Sequence, residues 1–215
     1  MKRRQFLRSS LLASGTAFLS SGTAQASPPP AEKPFRLLFA PHDGMFTNSA
    51  GKDIIDQIRF AHGMGFRAIE DNGMMSRSPA EQARIGETLA SLGMTMGVFV
   101  ITSDNWHWKT SLCSGKPEFT ERMMADCRKA LDVAKRCNAT HATVVPGNYD
   151  RSLPADIQTA HVITALKRGA EILEKGKLVM VLEPLSDNPD LFLRHSQQTY
   201  MICKAVGSPS CKILF

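Results

Sequence analysis

Apolar and polar positions along this chain fall into two alternating kinds of block. Short, nearly continuous apolar runs are followed by stretches in which apolar residues recur three and four positions apart. Residues 35–40 form the first apolar run, ending at Pro41. Residues 53–62 place apolar side chains at 54, 55, 58 and 61, a helical spacing closed by Gly63-Met64-Gly65. Residues 66–70 read as a second strand. Ser78-Pro79 opens a helix, with Ser as cap and Pro in the first turn, that runs to Leu92-Gly93. Residues 94–101 are a third strand, and residues 117–137 a long helix. Strands follow at 140–145, 178–182 and 211–215, with helices at 154–174 and 193–206, the latter closed by Gly207.

Six strands alternating with five helices predict right-handed βαβ units and a parallel sheet, an α/β fold. Continuous apolar strands suit a sheet covered on both faces. An open doubly wound sheet and an eight-stranded barrel both satisfy this order. The turn after the first strand, Pro41-His42-Asp43-Gly44-Met45-Phe46, lacks the GxGxxG of a dinucleotide-binding sheet. The pattern therefore favours an incomplete (β/α)8 TIM barrel over residues 35–215. A closed barrel takes about 250 residues, so a C-terminally truncated chain is expected, inactive alone and poorly soluble through its open strand edge.

Charge changes the picture at the N-terminus. The formal net charge of +6 suggests a nucleic-acid partner, but Lys2, Arg3, Arg4 and Arg8 lie in residues 1–26, which carry no acid. Beyond them 22 basic residues face 20 acidic ones, and no basic stripe with interleaved aromatics occurs. Residues 1–26 read as a twin-arginine export signal: a basic start with an arginine pair, a mildly apolar run from Leu11 to Ala24, and Ala24-Gln25-Ala26 for cleavage. A disordered basic tail is the plainer alternative. The export reading implies a periplasmic or otherwise exported protein, a twin-arginine translocon as transient partner, no membrane anchor, and a linker at residues 27–34. Five cysteines with no CxxC suggest no disulfide framework.

In such barrels chemistry collects at the C-terminal ends of the strands. Those positions hold His42 and Asp43, then Glu70, Asp71 and Asn72, then residues 103–109, then Asn148, Tyr149 and Asp150, then Glu183. Glu183 stands out because a carboxylate directly follows an apolar strand, where burial is costly without a partner. Its plain alternative is a salt bridge at the rim. His107, between Trp106 and Trp108, suits a substrate wall or an aromatic loop packed over the mouth. Glu70 suits a substrate contact or a rim brace. His42 is as readily structural, and Asn148 as readily a turn residue. His62, His141, His161 and His195 read as structural.

Residues 61–70 resemble the helix-to-strand passage of the xylose-isomerase-like TIM barrel superfamily. Val181-Leu182-Glu183-Pro184-Leu185 resembles its fifth strand, and residues 206–214 the approach to its sixth. Together with Asn105-Trp106-His107-Trp108-Lys109, they most resemble the hydroxypyruvate isomerase branch. The resemblance implies a divalent metal, Mg²⁺ or Mn²⁺ with Zn²⁺ as a further candidate, and makes Glu183 both a ligand and one of two proton-transferring carboxylates. It places the next ligand, an Asp, immediately after strand six, with the remaining ligand and the second Glu beyond Phe215. The implied activity is a metal-dependent isomerase or epimerase on a small sugar or hydroxycarbonyl compound, with Glu70, His42, Trp106, His107 and Asn148 around the substrate. A lyase or dehydratase, or a non-catalytic exported sugar-binding protein, also fits. No nucleic-acid partner is implied, and a homo-oligomer is compatible.

Overall fold

A computed structural model describes residues 33–102 and 104–215. The export leader expected at 1–26, most of the linker expected at 27–34, and Ser103 lie outside the described residues.

The chain enters the fold through a coil. A one-turn helix, α1 (Thr47–Ala50), precedes α2 (Ile54–Gly63). Asp53 caps α2 by accepting a hydrogen bond from the Ile55 amide at 2.8 Å. Strand β1 (Ala68–Ile69) leads to α3 (Pro79–Ser91), whose start carries a complete capping box. The Ser78 hydroxyl accepts from the Glu81 amide, while the Glu81 carboxylate accepts from the Ser78 amide. Strand β2 (Thr95–Met96) is followed by α4 (Pro117–Cys137), ended by Asn138 in the left-handed region at φ 54°. Then come β3 (His141–Val144), α5 (Ala155–Glu174), β4 (Val179–Leu182), α6 (Ser196–Val206) and β5 (Cys211–Ile213).

All strand pairings are parallel: β1 with β2, β3 with β4, and β4 with β5. Parallel bridges from His42 to Glu70 and from Val100 to Thr143 carry the ladder across the whole arc. The helices pack in chain order on its outside, α3 against α4, α4 against α5, and α5 against α6. Ile58, Ile69, Phe99, Met123, Leu166, Met180 and Leu182 are almost fully buried between the layers. Helices α3 and α4 approach so closely that a Cβ at Gly86 would overlap the Arg136 carbonyl oxygen and lie 2.8 Å from the Cys137 Cα. Among the described residues, no helix is long and apolar enough to cross a membrane. All five cysteines are free thiols.

The first predicted strand does not form. Residues 36–40 are coil, with Leu37 64% and Leu38 70% exposed. The ladder begins only at Pro41, whose carbonyl accepts from the Glu70 amide at 2.9 Å, and at Asp43, whose amide donates to the Glu70 carbonyl at 2.9 Å. An apolar run becomes a strand only where neighbouring backbone receives its amides and carbonyls. Here the Phe35 amide bonds to Gly65 and the Phe39 amide turns back to Leu37. The third strand is also shorter than its apolar run, because regular pairing lapses between Met96 and Val100. Gly97 lies there under Glu70, where a Cβ would stand 2.9 Å from the Glu70 Cγ.

Candidate active site at the barrel mouth

Parallel strands deliver their C-terminal residues to one rim, so Glu70, just past β1, and Glu183, just past β4, rise to the same end. Both are half-buried. Burial pushes the Glu183 carboxyl above the usual carboxylate range, and the charges of Glu70 and then Asp187 push it further, while His42 opposes them. Burial likewise raises Glu70, and His42 lowers it. The His42 Nε2 stands 3.9 Å from the Glu70 Oε2. The repulsion belongs to the pair and is felt by the carboxyl that ionises second. The structure thus brings together three of the residues singled out in the sequence: His42, Glu70 and Glu183.

Two neighbouring acids are differently employed. Arg77 donates from Nη2 to Asp43 at 2.6 Å and from Nε to Asp71 at 2.5 Å, with Asp71 98% buried by the packing around it. These carboxylates lock the loop after β1 to the entry coil.

The loop after β2 folds into a 3₁₀ turn over Trp106–Trp108. It sends its three rings in different directions. Trp106 is 1% exposed, and its indole N–H donates to the Asp126 carboxylate on α4 at 2.6 Å. It anchors the loop to the helix layer. Trp108 is exposed and packs on His107 with ring centres 4.5 Å apart. His107 is 4% exposed; burial drives its pKa down to about 4 against the opposing charge of Asp104. Its Nδ1 is buried without a hydrogen-bond partner. The Asn148 side chain donates to the Trp108 carbonyl at 2.8 Å, while its Oδ1 is likewise buried and unpartnered. Asn148 therefore braces the loop after β2 and keeps one acceptor free. Thr102, the first residue past the third apolar run, also has a buried unpartnered hydroxyl. Its signal in the sequence was the same as that of Glu183, a polar side chain at a strand's end, but a threonine there is too common to single out.

The three loops are tied by backbone. The Asn148 amide donates to Lys109 at 2.8 Å, Tyr149 to Asp190 at 2.6 Å, and Phe192 to Gly147 at 3.1 Å. Gly147, at φ 109°, admits this packing, since a Cβ would overlap the Ser111 hydroxyl.

Carboxylate oxygens are the donors a hard divalent cation takes. Among the described residues, however, no three His, Cys, Asp or Glu side chains converge to hold a metal. Glu183 and its neighbours fit a metal in donor chemistry and fall short of a complete cage.

A parallel strand arc wrapped by helices, with chemistry gathered at the C-terminal strand ends, defines a parallel β/α barrel. Residues 58–215 match the family model described as xylose isomerase-like TIM barrel, and the chain belongs to that family. A family 2 AP endonuclease from Brucella melitensis superposes with a TM-score of 0.68 at 18% identity, covering 82% of this chain and 67% of that one. D-psicose 3-epimerase from Clostridium cellulolyticum H10, crystallised with D-tagatose, gives 0.63 at 15% identity, covering 75% of this chain and 57% of that one. The IolI protein with a bound zinc atom gives 0.62 at 11% identity, covering 81% and 62%. At these identities the likeness is one of fold. No curated protein sequence matches the chain.

Proposed function

We propose that this protein is a sugar or hydroxycarbonyl isomerase or epimerase that works by carboxylate-mediated proton transfer. The observation that carries the reading is the Glu183–Glu70 pair, two half-buried carboxyls whose proton affinity is raised by burial and, at Glu183, by the neighbouring charge. A carboxylate so raised is a better base for a carbon-bound proton beside a carbonyl. Glu183 takes that proton. Glu70, with His42 beside it, holds a substrate hydroxyl in register, and His107, neutral above its low pKa, offers a ring nitrogen for a further hydroxyl. Return of a proton to the adjacent carbon, with the hydroxyl proton passing to the former carbonyl oxygen, gives the aldose–ketose isomer; return to the same carbon from the opposite face, which needs a second acid there, gives the epimer.

The finer reading is hydroxypyruvate isomerase-like specificity, supported by the likeness of residues 105–109 and 181–185 to that branch. A divalent cation belongs to the proposal, with Glu183 as one ligand; bound, it would polarise the carbonyl and acidify the neighbouring C–H. The zinc of the IolI protein and the sugar of the epimerase complex support this reading by analogy of fold. The arginine-pair leader before Ala26 supports export as the setting.

The test is proton exchange. The full-length protein is incubated with hydroxypyruvate and with small ketoses in D₂O, with and without Mg²⁺ or Mn²⁺, and followed by ¹H NMR. The expected result is loss of the signal of the proton beside the carbonyl and appearance of an isomer, with Glu183→Gln slowing both by about a hundredfold or more. Loss of water without an isomer would assign the chain to the lyases. Exchange undiminished in Glu183→Gln would remove the residue from its proposed role.

A further inference from the structure

A concavity lies outside the carboxylate pair. It is a groove of about 580 Å³ between the loop after β3 and the start of α6, within the size range of small-molecule sites. Its lining includes Arg151, Arg194 and His195 and no carboxylate. Two acids flank it: Asp150, between Tyr149 and Arg151, accepts from the Ser152 amide and hydroxyl, and Asp190, between the lining residues Pro189 and Leu191, pairs with Arg151 at 3.3 Å. That pair is largely exposed, 84% and 59%, so it leaves Arg151 readily exchangeable to another anion.

Arg194 is the better-built cation. It is half-buried, its Nε is buried with no hydrogen-bond partner, and its guanidinium reaches one backbone oxygen, that of Ser186, at a long 3.5 Å. A guanidinium has five donors in a planar fork matched to carboxylate and phosphate. Among the described residues, most of them have no protein acceptor. The start of α6 adds to the same field: His195 is its N-cap in extended geometry, with no side-chain cap, and the Gln198 amide oxygen accepts from the Arg194 amide instead.

The rest of the lining is suited to a hydroxylated ring. Tyr149, 38% exposed, lies nearly parallel to Phe192, with 15° between the planes and 6.4 Å between centres. An exposed aromatic face packs on the C–H face of a sugar. Gln197 and Gln198 supply amides that can both donate and accept. The walls are held by the Asn148–Leu191 bridge and the Tyr149, Phe192 and Leu185 backbone bonds, so the groove needs no rearrangement to form.

We infer that this groove is a binding site for an anionic sugar, with Arg194 and Arg151 on its phosphate or carboxylate and Tyr149 against its ring. The site is separate in its residues from the Glu183 carboxylate pair, and stands or falls independently of the proton-transfer reading.

The experiment is calorimetric titration of the full chain with glucose 6-phosphate, glucuronate, glucose and inorganic phosphate, repeated in Arg194→Met, Arg151→Met, Tyr149→Ala and Glu183→Gln. Thermal melting of each variant reports folding. The expected result is that at least one of the two anionic sugars binds about tenfold or more tightly than glucose, with the stronger of the two naming the anion. Arg194→Met weakens it about tenfold, Arg151→Met less, and Tyr149→Ala weakens the sugar anions but not inorganic phosphate. Glu183→Gln leaves binding unchanged. Glucose binding as well as the anions, or anion binding indifferent to both arginine variants, overturns the site. Inorganic phosphate binding as tightly as glucose 6-phosphate overturns the sugar half of it. Should Arg194→Met lower the melting temperature, the exposed Arg151 and Tyr149 variants carry the same decision.

Discussion

Glu183 and Glu70 show what a single position can and cannot tell. A carboxylate closing an apolar strand is visible in the chain, and for Glu183 that alone marked a candidate. That Glu70 would be the charge acting on it is a matter of which strands share a rim, and no local pattern contains it. The coupling is testable without activity. Replacing Glu70 by Gln removes a negative neighbour, so the Glu183 carboxyl should titrate at lower pH, read by ¹³C NMR of the labelled side chain; an unmoved titration would separate the two groups. His107 offers a second residue-scale prediction. Its folded pKa of about 4 lies below the ordinary 6.5, so protonation favours the unfolded chain. Its contribution to stability is complete above pH 6.5 and is lost as the pH falls through about 4. Urea midpoints measured from pH 7 to pH 4 should fall, and His107→Asn should flatten much of that fall. Trp106 illustrates the limit of reading a ring from its neighbours. It adjoins His107 in the chain, yet its indole turns to Asp126 on α4, a partner twenty residues away in sequence.

Among the elements, α2 to α5 were legible to about a residue, as were β3 and β4, whereas α1 was missed, α6 begins three residues later than expected, and the first and third apolar runs did not become the strands they suggested. The spacing and caps of α3 and α4 are local properties: a capping box at Ser78 and Glu81, a proline in each first turn, an apolar stripe along each length. A helix satisfies its own backbone and so needs little from elsewhere. A strand borrows its hydrogen bonds from its neighbours, so residues 36–40, apolar apart from Arg36, remain coil where the ladder has not begun. Helix contact also depends on what is missing from a side chain. Gly86→Ala should favour helix α3 by intrinsic propensity, yet its methyl would meet the Arg136 carbonyl and the Cys137 backbone. The overlap is with backbone, which cannot turn aside, so the net effect should be a loss of about 1–3 kcal/mol in chemical denaturation. A gain in stability would mean that α3 and α4 stand further apart than described.

Over the whole molecule, an arc of parallel strands presents Glu183, Glu70 and His42 at one rim and leaves an apolar face at its start, where Leu37, Leu38 and Phe39 are more than half exposed. Exposed apolar side chains so grouped favour association. The double variant Leu37→Lys, Leu38→Lys should lower light scattering at high concentration and leave the melting temperature within about 2 °C, since surface changes of this kind are usually near neutral. A large drop in melting temperature would show that these side chains are covered in solution. The sequence by itself determined the alternation of helix and strand, the barrel class that alternation implies, the helix ends, and the strand-end carboxylate Glu183, because each depends on residues within a few positions of one another. Only the tertiary structure decided which run became a strand, that Asp43 and Asp71 are held by Arg77, that Trp106 belongs to the core, and that Arg151, Arg194 and Tyr149 line one groove. Those outcomes depend on backbone partners and charges brought together by the barrel's curvature, across separations no local pattern records.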